Sequence, residues 1–320
     1  GKFHYASLEK VGAVLLEELR RVFGPDTPMA TAGALRRRCE LLEQVELLIG
    51  QEEGVAEILE EKGWTVEARP DGSLRWLQDA EVPVALYTCS PEVFGSKLFR
   101  YTGSPEFVQA FLAKSAAVDF RGLATEEAVF EKAGLPWLPP ELREDDRWLS
   151  RPTPRLIEEK DIRGVVHAHT TWSDGLNTLR EMAEACRDQG YEYLALTDHS
   201  KSAFYANGLK PERLLEQMKE VDALNEELAP FRIFKGVESD ILADGSLDYE
   251  DDILAQLDFV IASVHSNLRM DEEKATRRIL RAAENPYTTI LAHPTGRLLP
   301  SRENYPPDHT RITADHAEHG

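Results

Sequence analysis

Between residues 162 and 292, short apolar stretches alternate with amphipathic ones, and each apolar stretch runs into a histidine or a carboxylate. Residues 164–169, 193–197, 232–237, 259–264 and 288–292 have the length and β-branched content of buried strands. Helical spacing fills the intervals at 179–189, 211–228, 253–257 and 272–284. This alternation predicts a parallel sheet or a β/α barrel. A closed barrel of this class takes about eight strands, so five predict an incomplete one.

The strand ends carry the chemistry. His167 and His169 leave the first strand, and Asp174 follows in a Ser-Asp-Gly turn. The second strand runs into Asp198 and His199, the third into Glu238, the fourth into His265 and the fifth into His293. Side chains alternate along a strand, so His167 and His169 are expected on one side. Loops after the strands of a parallel barrel build a single mouth. Imidazoles and carboxylates together suit zinc, manganese or iron. One catalytic zinc uses three protein ligands, so seven groups imply two or three ions with Glu238 central. Clustered divalent ions with an open face fit phosphoester hydrolysis. Arg297 and Lys201 follow two of the ligands and either hold a phosphate or are surface charges. His4 and His309 stand alone, and Asp315, His316 and His319 follow no strand.

The net charge of −20 argues against a broad nucleic-acid-binding face, because phosphate contacts dominate such affinity. Any contact with DNA must be local or metal-assisted. No apolar run approaches the ~20 residues that cross a bilayer, which predicts no membrane partner. Residues 1–5 lead straight into a helical pattern, which predicts no signal peptide. Cys39, Cys89 and Cys186 are scattered and odd in number, which predicts reduced, buried thiols and a cytoplasmic protein.

The first half reads as a small α+β domain over residues 1–90. A helix is expected at 6–22, strands at 45–49 and 82–87, a helix at 55–62, and a hairpin of 65–69 with 73–77 across Pro70-Asp71-Gly72. Residues 91–150 are more helical, and Thr125 opens a helix by its capping pattern. Residues 151–160 are polar, hold Pro152 and Pro154, and read as a linker to a domain at 161–320.

His-Ala-His-Thr at 167–170, Thr197-Asp198-His199-Ser200, Lys235-Gly236-Val237-Glu238, Ser263-Val264-His265-Ser266 and Ala292-His293-Pro294-Thr295-Gly296-Arg297 resemble the PHP (polymerase and histidinol phosphatase) domain. With Ile241-Leu242-Ala243-Asp244-Gly245-Ser246-Leu247-Asp248, the likeness narrows to the C-terminal PHP domain of bacterial family X DNA polymerases. The resemblance implies a distorted seven-stranded β/α barrel with three metal ions, manganese or zinc. It also implies 3'-5' exonuclease or DNA-end-processing activity. Carried over by position, the ligands are His167, His169, Asp174, His199, Glu238, His265 and His293, with Glu238, His199 and Arg297 in catalysis. The family's Asp-x-His pair on its last strand is not in the sequence, so a longer natural protein is expected. Alternatives are a small-molecule phosphomonoesterase of the histidinol-phosphatase type and a non-catalytic DNA-repair scaffold.

The first half resembles the palm and thumb of the same polymerases, without the helix-hairpin-helix region that precedes them. Gly33-Ala34-Leu35-Arg36-Arg37 is similar to the Gly-Ser-x-Arg-Arg phosphate-binding motif, and Arg100-Tyr101-Thr102-Gly103-Ser104 to Tyr-Phe-Thr-Gly-Ser. Arg36 and Arg37 are candidates to bind nucleotide or DNA phosphates, or form a solvated face. The three palm carboxylates of the family fall on Gln44, Glu46 and Ala85. Two metal ions need more carboxylate than one glutamate, so polymerisation is expected to be lost.

Overall fold

The computed structural model describes residues 1–79, 81–116, 118–295, 307–308 and 310–313. Arg297, His309, Asp315, His316 and His319 lie outside the described residues. The chain divides into two compact units, Gly1–Arg155 and Leu156–Gly320.

In the first unit, β1 (Phe3–His4) leads into α1 (Tyr5–Phe23), then β2 (Met29–Thr31), α2 (Gly33–Arg36), β3 (Leu41–Leu42) and β4 (Val45–Ile49). Next come α3 (Val55–Glu61), β5 (Glu67–Ala68), β6 (Leu74–Gln78) and β7 (Val82–Thr88). Five strands form one sheet in the order β2-β4-β7-β6-β5, with β4 and β7 parallel. Leu8, Leu15 and Leu19 of α1 fall at helical spacing and pack on Val45, Leu47 and Ile49 of β4. The helices α4 (Phe94–Thr102), α5 (Pro105–Lys114) and α6 (Glu126–Ala133) enclose a separate core of Phe99, Phe107, Phe111, Phe120 and Phe130. Ser104 and Thr125 cap α5 and α6 by accepting from Phe107 N and Ala128 N. Cys89 and Cys186 are buried, whereas Cys39 is half-buried, with its Sγ 3.3 Å from the exposed Glu144 carboxylate.

A buried ion network ties these parts together. Glu126 accepts from Arg36 through one oxygen and from the fully buried Arg143 through the other, both at 2.6 Å. The Arg143 guanidinium also lies 4.6 Å over Trp137 and 4.9 Å over Phe130. Arg37 donates to Glu144 and to the carbonyl of Thr102.

The second unit runs β8 (Gly164–Ala168), α7 (Leu179–Asp188), β9 (Tyr193–Leu196), α8 (Pro211–Glu227), β10 (Arg232–Phe234), β11 (Gly236–Asp240), α9 (Asp251–Leu254), β12 (Phe259–Ser263), α10 (Glu272–Ala283) and β13 (Ile290–Leu291). All pairings between these strands are parallel. The third expected strand is two, because Lys235 leaves the ladder: its N–H donates to the Asp258 carboxylate and its carbonyl accepts from Asp258 N. Below that break β10 pairs with β9, and above it β11 pairs with β12. A bridge between His199 and Glu238 continues the pairing of the second strand with the third. The strands thus lie side by side in chain order. The expected seven-stranded barrel is not what the described residues form: they make an open parallel array with no closing pair. The helix α8 spans two cores, Leu214 and Met218 packing with Val237 and Val260, and Val221 and Leu224 with Leu194 and Ile233. No helix among the described residues is long and apolar enough to cross a membrane.

Glu126→Gln strands the buried Arg143 charge, which costs about 3 kcal/mol. Thermal unfolding followed by circular dichroism is expected to fall by about 5–10 °C. Its exposed neighbour Glu127→Gln is expected to leave the midpoint unchanged.

Candidate metal centre

Glu238 projects from the middle of β11 and is 1% exposed. Five imidazoles surround it. His167 Nε2, His265 Nε2 and His293 Nε2 lie 3.1, 3.2 and 2.9 Å from Oε1. His169 Nε2 and His199 Nδ1 lie 3.5 and 3.2 Å from Oε2. Asp174 closes the outer side, 3.5 Å from His169 Nδ1 and 3.7 Å from His199 Nε2. The seven residues expected as ligands, His167, His169, Asp174, His199, Glu238, His265 and His293, therefore converge on one centre. Three overlapping triads have ligand atoms within 4.8 Å of one another: His167–His169–Glu238, His169–Asp174–His199 and His199–Glu238–His265. Among the described residues these are the groups that could hold an ion, and all lie in the second unit. His293 reaches Glu238 without joining a triad.

The backbone achieves this differently from simple strand alternation. The pairing of β8 with β9 slips between Val166 and Ala168, and His167 takes a left-handed φ of 69°. His169 lies beyond the strand end. A bulge, not the pleat, brings both rings to Glu238, with centroids 5.4 Å apart. His293 also sits at positive φ, 30°. Left-handed non-glycine residues cost of order 1–3 kcal/mol and persist where surrounding structure fixes them.

Two carboxylates that sequence reasoning did not place among the site residues hold this geometry. Asp198 is buried and accepts from Thr170 N (2.8 Å), Thr170 Oγ1 (2.7 Å), Ser173 N (3.2 Å), Ser173 Oγ (2.5 Å) and Gln217 Nε2 (2.6 Å). It pins the loop from His169 to Asp174. A side chain at Gly175 would strike the His169 carbonyl at 2.4 Å, so the close return of this loop requires glycine. Asp240, 3% exposed, sits 2.5 Å from His265 Nδ1. It fixes which imidazole nitrogen faces Glu238. The signal was available: Glu238 and Asp240 are two apart in one strand and so face the same way.

Burial alone would push the Glu238 carboxyl up, but hydrogen bonds from His167, His265 and His293 outweigh it and hold the group well below the usual carboxylate range. Burial likewise opposes charge on His265, yet Asp240 and Glu238 raise it to about 9. Desolvation lowers His199 despite Glu238. A neutral imidazole is the form that binds metal.

The donor set fits divalent ions. Buried His169 Nδ1 and His199 Nδ1 have no hydrogen-bond partner, although carboxylate oxygens lie 3.5 and 3.2 Å away. Two ligand atoms each about 2.1 Å from a tetrahedral ion are about 3.4 Å apart. The observed separations suit a cation between these atoms better than a direct hydrogen bond.

Other candidates are placed elsewhere. Lys201 lies 5.7 Å over the Tyr249 ring. Arg36 and Arg37, in the first unit, direct their guanidinium groups to Glu126, Thr102 and Glu144, and their side chains are 19% and 10% exposed.

Residues 166–298 match the family model of the PHP domain. The chain is 37% identical over 313 residues to the DNA polymerase/3'-5' exonuclease PolX of Bacillus subtilis (strain 168), covering 91% of this chain and 55% of that protein. It is 33% identical over 132 residues to a probable phosphatase of Acetivibrio thermocellus, covering 40% of this chain and 52% of that protein. A probable phosphatase of Thermoanaerobacter sp. (strain X514) is 32% identical over 145 residues, covering 42% and 54%. The chain thus spans little more than half the length of each relative. The second unit carries a PHP domain. The likeness to that PolX runs through both units, over 91% of this chain.

Asp240→Asn is expected to weaken divalent-ion binding about 10- to 100-fold while leaving the fold intact, because His265 loses its orienting carboxylate. Calorimetric titration of metal-free protein with Zn²⁺ or Mn²⁺ checks this.

Proposed function

We propose that the PHP domain hydrolyses phosphodiester bonds at DNA ends, in the 3'-5' sense, with two or three manganese or zinc ions. The ligands in this reading are His167, His169, Asp174, His199, Glu238, His265 and His293. The observation that carries it is the convergence of five imidazoles on the one buried carboxylate of Glu238. Bound ions would clamp phosphate oxygens and make a hydroxide-like nucleophile from water. Glu238 would hold metal through both of its oxygens, which face different imidazoles. Asp174, 47% exposed, stands at the solvent side where substrate would enter. Glu238, Asp240 and Asp174 make the metal-free mouth repel a phosphodiester until cations are loaded. Arg297 is proposed to hold the phosphate.

We read the first unit as a palm and thumb that have lost nucleotidyl transfer, within a protein that processes gapped or 3'-terminal DNA in the cytoplasm. Three placements support this. Glu46 pairs across β4 and β7 with Ala85, so the facing position on β7 offers no carboxylate. Gln44 accepts from Arg75 at 2.6 Å. Burial pushes the Glu46 carboxyl up, against the lowering effect of Tyr87, and a side chain at Gly33 would lie 1.7 Å from its Oε2. The glutamate is thus folded onto the loop that resembles a phosphate cradle, whose arginines are engaged internally. A small-molecule phosphomonoesterase is the second reading, favoured by the likeness of the PHP part to probable phosphatases.

With Mn²⁺, purified protein is expected to ladder a 5'-labelled oligonucleotide from its 3' end, and Glu238→Gln to reduce the rate at least about a hundredfold. Colour from p-nitrophenyl phosphate without laddering would support the phosphatase. Silence on both with DNA still bound would support a scaffold. Primer extension on a gapped template is expected to give no product, and template-directed extension would refute the palm reading.

A further inference from the structure

We infer that Phe204 and Tyr205 form a stacking platform for the nucleobase beside the reacting phosphate. The loop at 200–208 would then select a nucleic-acid end over a small phosphate ester. The inference deepens the hydrolase reading and rests on it for the position of the phosphate.

This loop leaves the metal centre at His199 and returns to it. Leu209 N donates to the His199 carbonyl at 2.8 Å, and Ser200 bridges Leu209. Inside the loop, Ala203 N bonds to Ser200, while Ala206 N and Gly208 N bond to Ala203. The buried Asp248 accepts from both Ser202 N and Ser202 Oγ. Asn207 reaches across to donate to the carbonyls of Trp172 and Ser173, both at 3.3 Å, beside Asp174. Ala203 and Ala206 are 0% and 1% exposed, yet Phe204 and Tyr205 are 86% and 71% exposed. The aromatic pair is therefore held in water by a braced loop and does not owe its exposure to a slack one. Leu176, 94% exposed, follows Asp174 and Gly175 on the segment next to the one that Asn207 clasps. The Tyr205 ring centre lies 6.1 Å from that of His199, one ring away from the ligand cluster.

A site that takes a lone phosphate needs charge and gains nothing from exposed rings. Beside the groups that would hold the phosphate, this mouth also presents exposed rings, in a chain with a net charge of −20 that gains little from backbone attraction. Aromatic faces bind any base by stacking, at about 1–3 kcal/mol per base, without reading sequence.

The test is a double-mutant cycle between the platform and the base. Fluorescein-labelled oligonucleotides with either a normal or an abasic tetrahydrofuran 3' terminus are titrated with wild-type protein and with Phe204→Ala/Tyr205→Ala. Cleavage in Mn²⁺ is followed in parallel. For wild type, removing the base is expected to weaken binding and raise KM by about tenfold. In the double variant base removal is expected to change neither, whereas Tyr205→Phe keeps most of the effect. An equal penalty for base removal in both proteins overturns the platform, as does metal-dependent cleavage by wild type that ignores the base. Base-sensitive binding without cleavage would instead sink the hydrolase reading and leave the platform standing.

Discussion

The second unit depends on one buried carboxylate. Glu238 is removed from water in the middle of a parallel array, where an isolated charge would be expensive. Five imidazoles make that burial tolerable, and each comes from a different point where the chain leaves a strand, apart from the adjacent pair 167 and 169. The clustered histidines in turn need something between them, because two of their buried nitrogens have no hydrogen-bond partner. A divalent ion between them would satisfy the carboxylate and the imidazoles together. The surrounding structure serves this arrangement. Asp198 fixes the loop of His169 and Asp174, Asp240 turns His265, and Lys235 leaves the ladder so that β11 can pair with β12 directly beneath Glu238.

Much of this was legible in the sequence because buried parallel strands read as apolar runs and their ends as abrupt polar residues. The positions of β8, β9, β10, β12 and β13 follow from that contrast, whereas most of β11 lies past the expected end of the third strand. What the sequence concealed has physical reasons. The bulge at His167 is a backbone event, and nothing in Val-Val-His-Ala-His distinguishes it from regular alternation. The division of the third strand is set by one side chain 23 residues away, Asp258. Asp240 lies past the expected end of the third strand at residue 237, although its two-residue spacing from Glu238 puts it on the same face of β11.

The first unit shows the same physics with a different outcome. Its sheet and helices follow the periodicity of α1, β4 and β7 closely. The chemistry of Arg36 and Arg37 does not follow from their motif, because a guanidinium takes whichever carboxylate the tertiary fold supplies. Here Glu126 and Glu144 come from segments 90 and 107 residues further along the chain. Arg143, with no exposed surface, shares Glu126 and makes the network part of the core. A cradle resembling a phosphate site is thus filled by the protein's own carboxylates, and among the described residues the groups that could hold an ion lie in the PHP domain.

The most direct measurement is anomalous diffraction at the manganese edge from a crystal of the Mn²⁺-loaded protein. The account predicts two or three peaks, each within about 4 Å of another, with Glu238 touching at least two of them. Peaks scattered singly over the surface, or none beside Glu238, would contradict it.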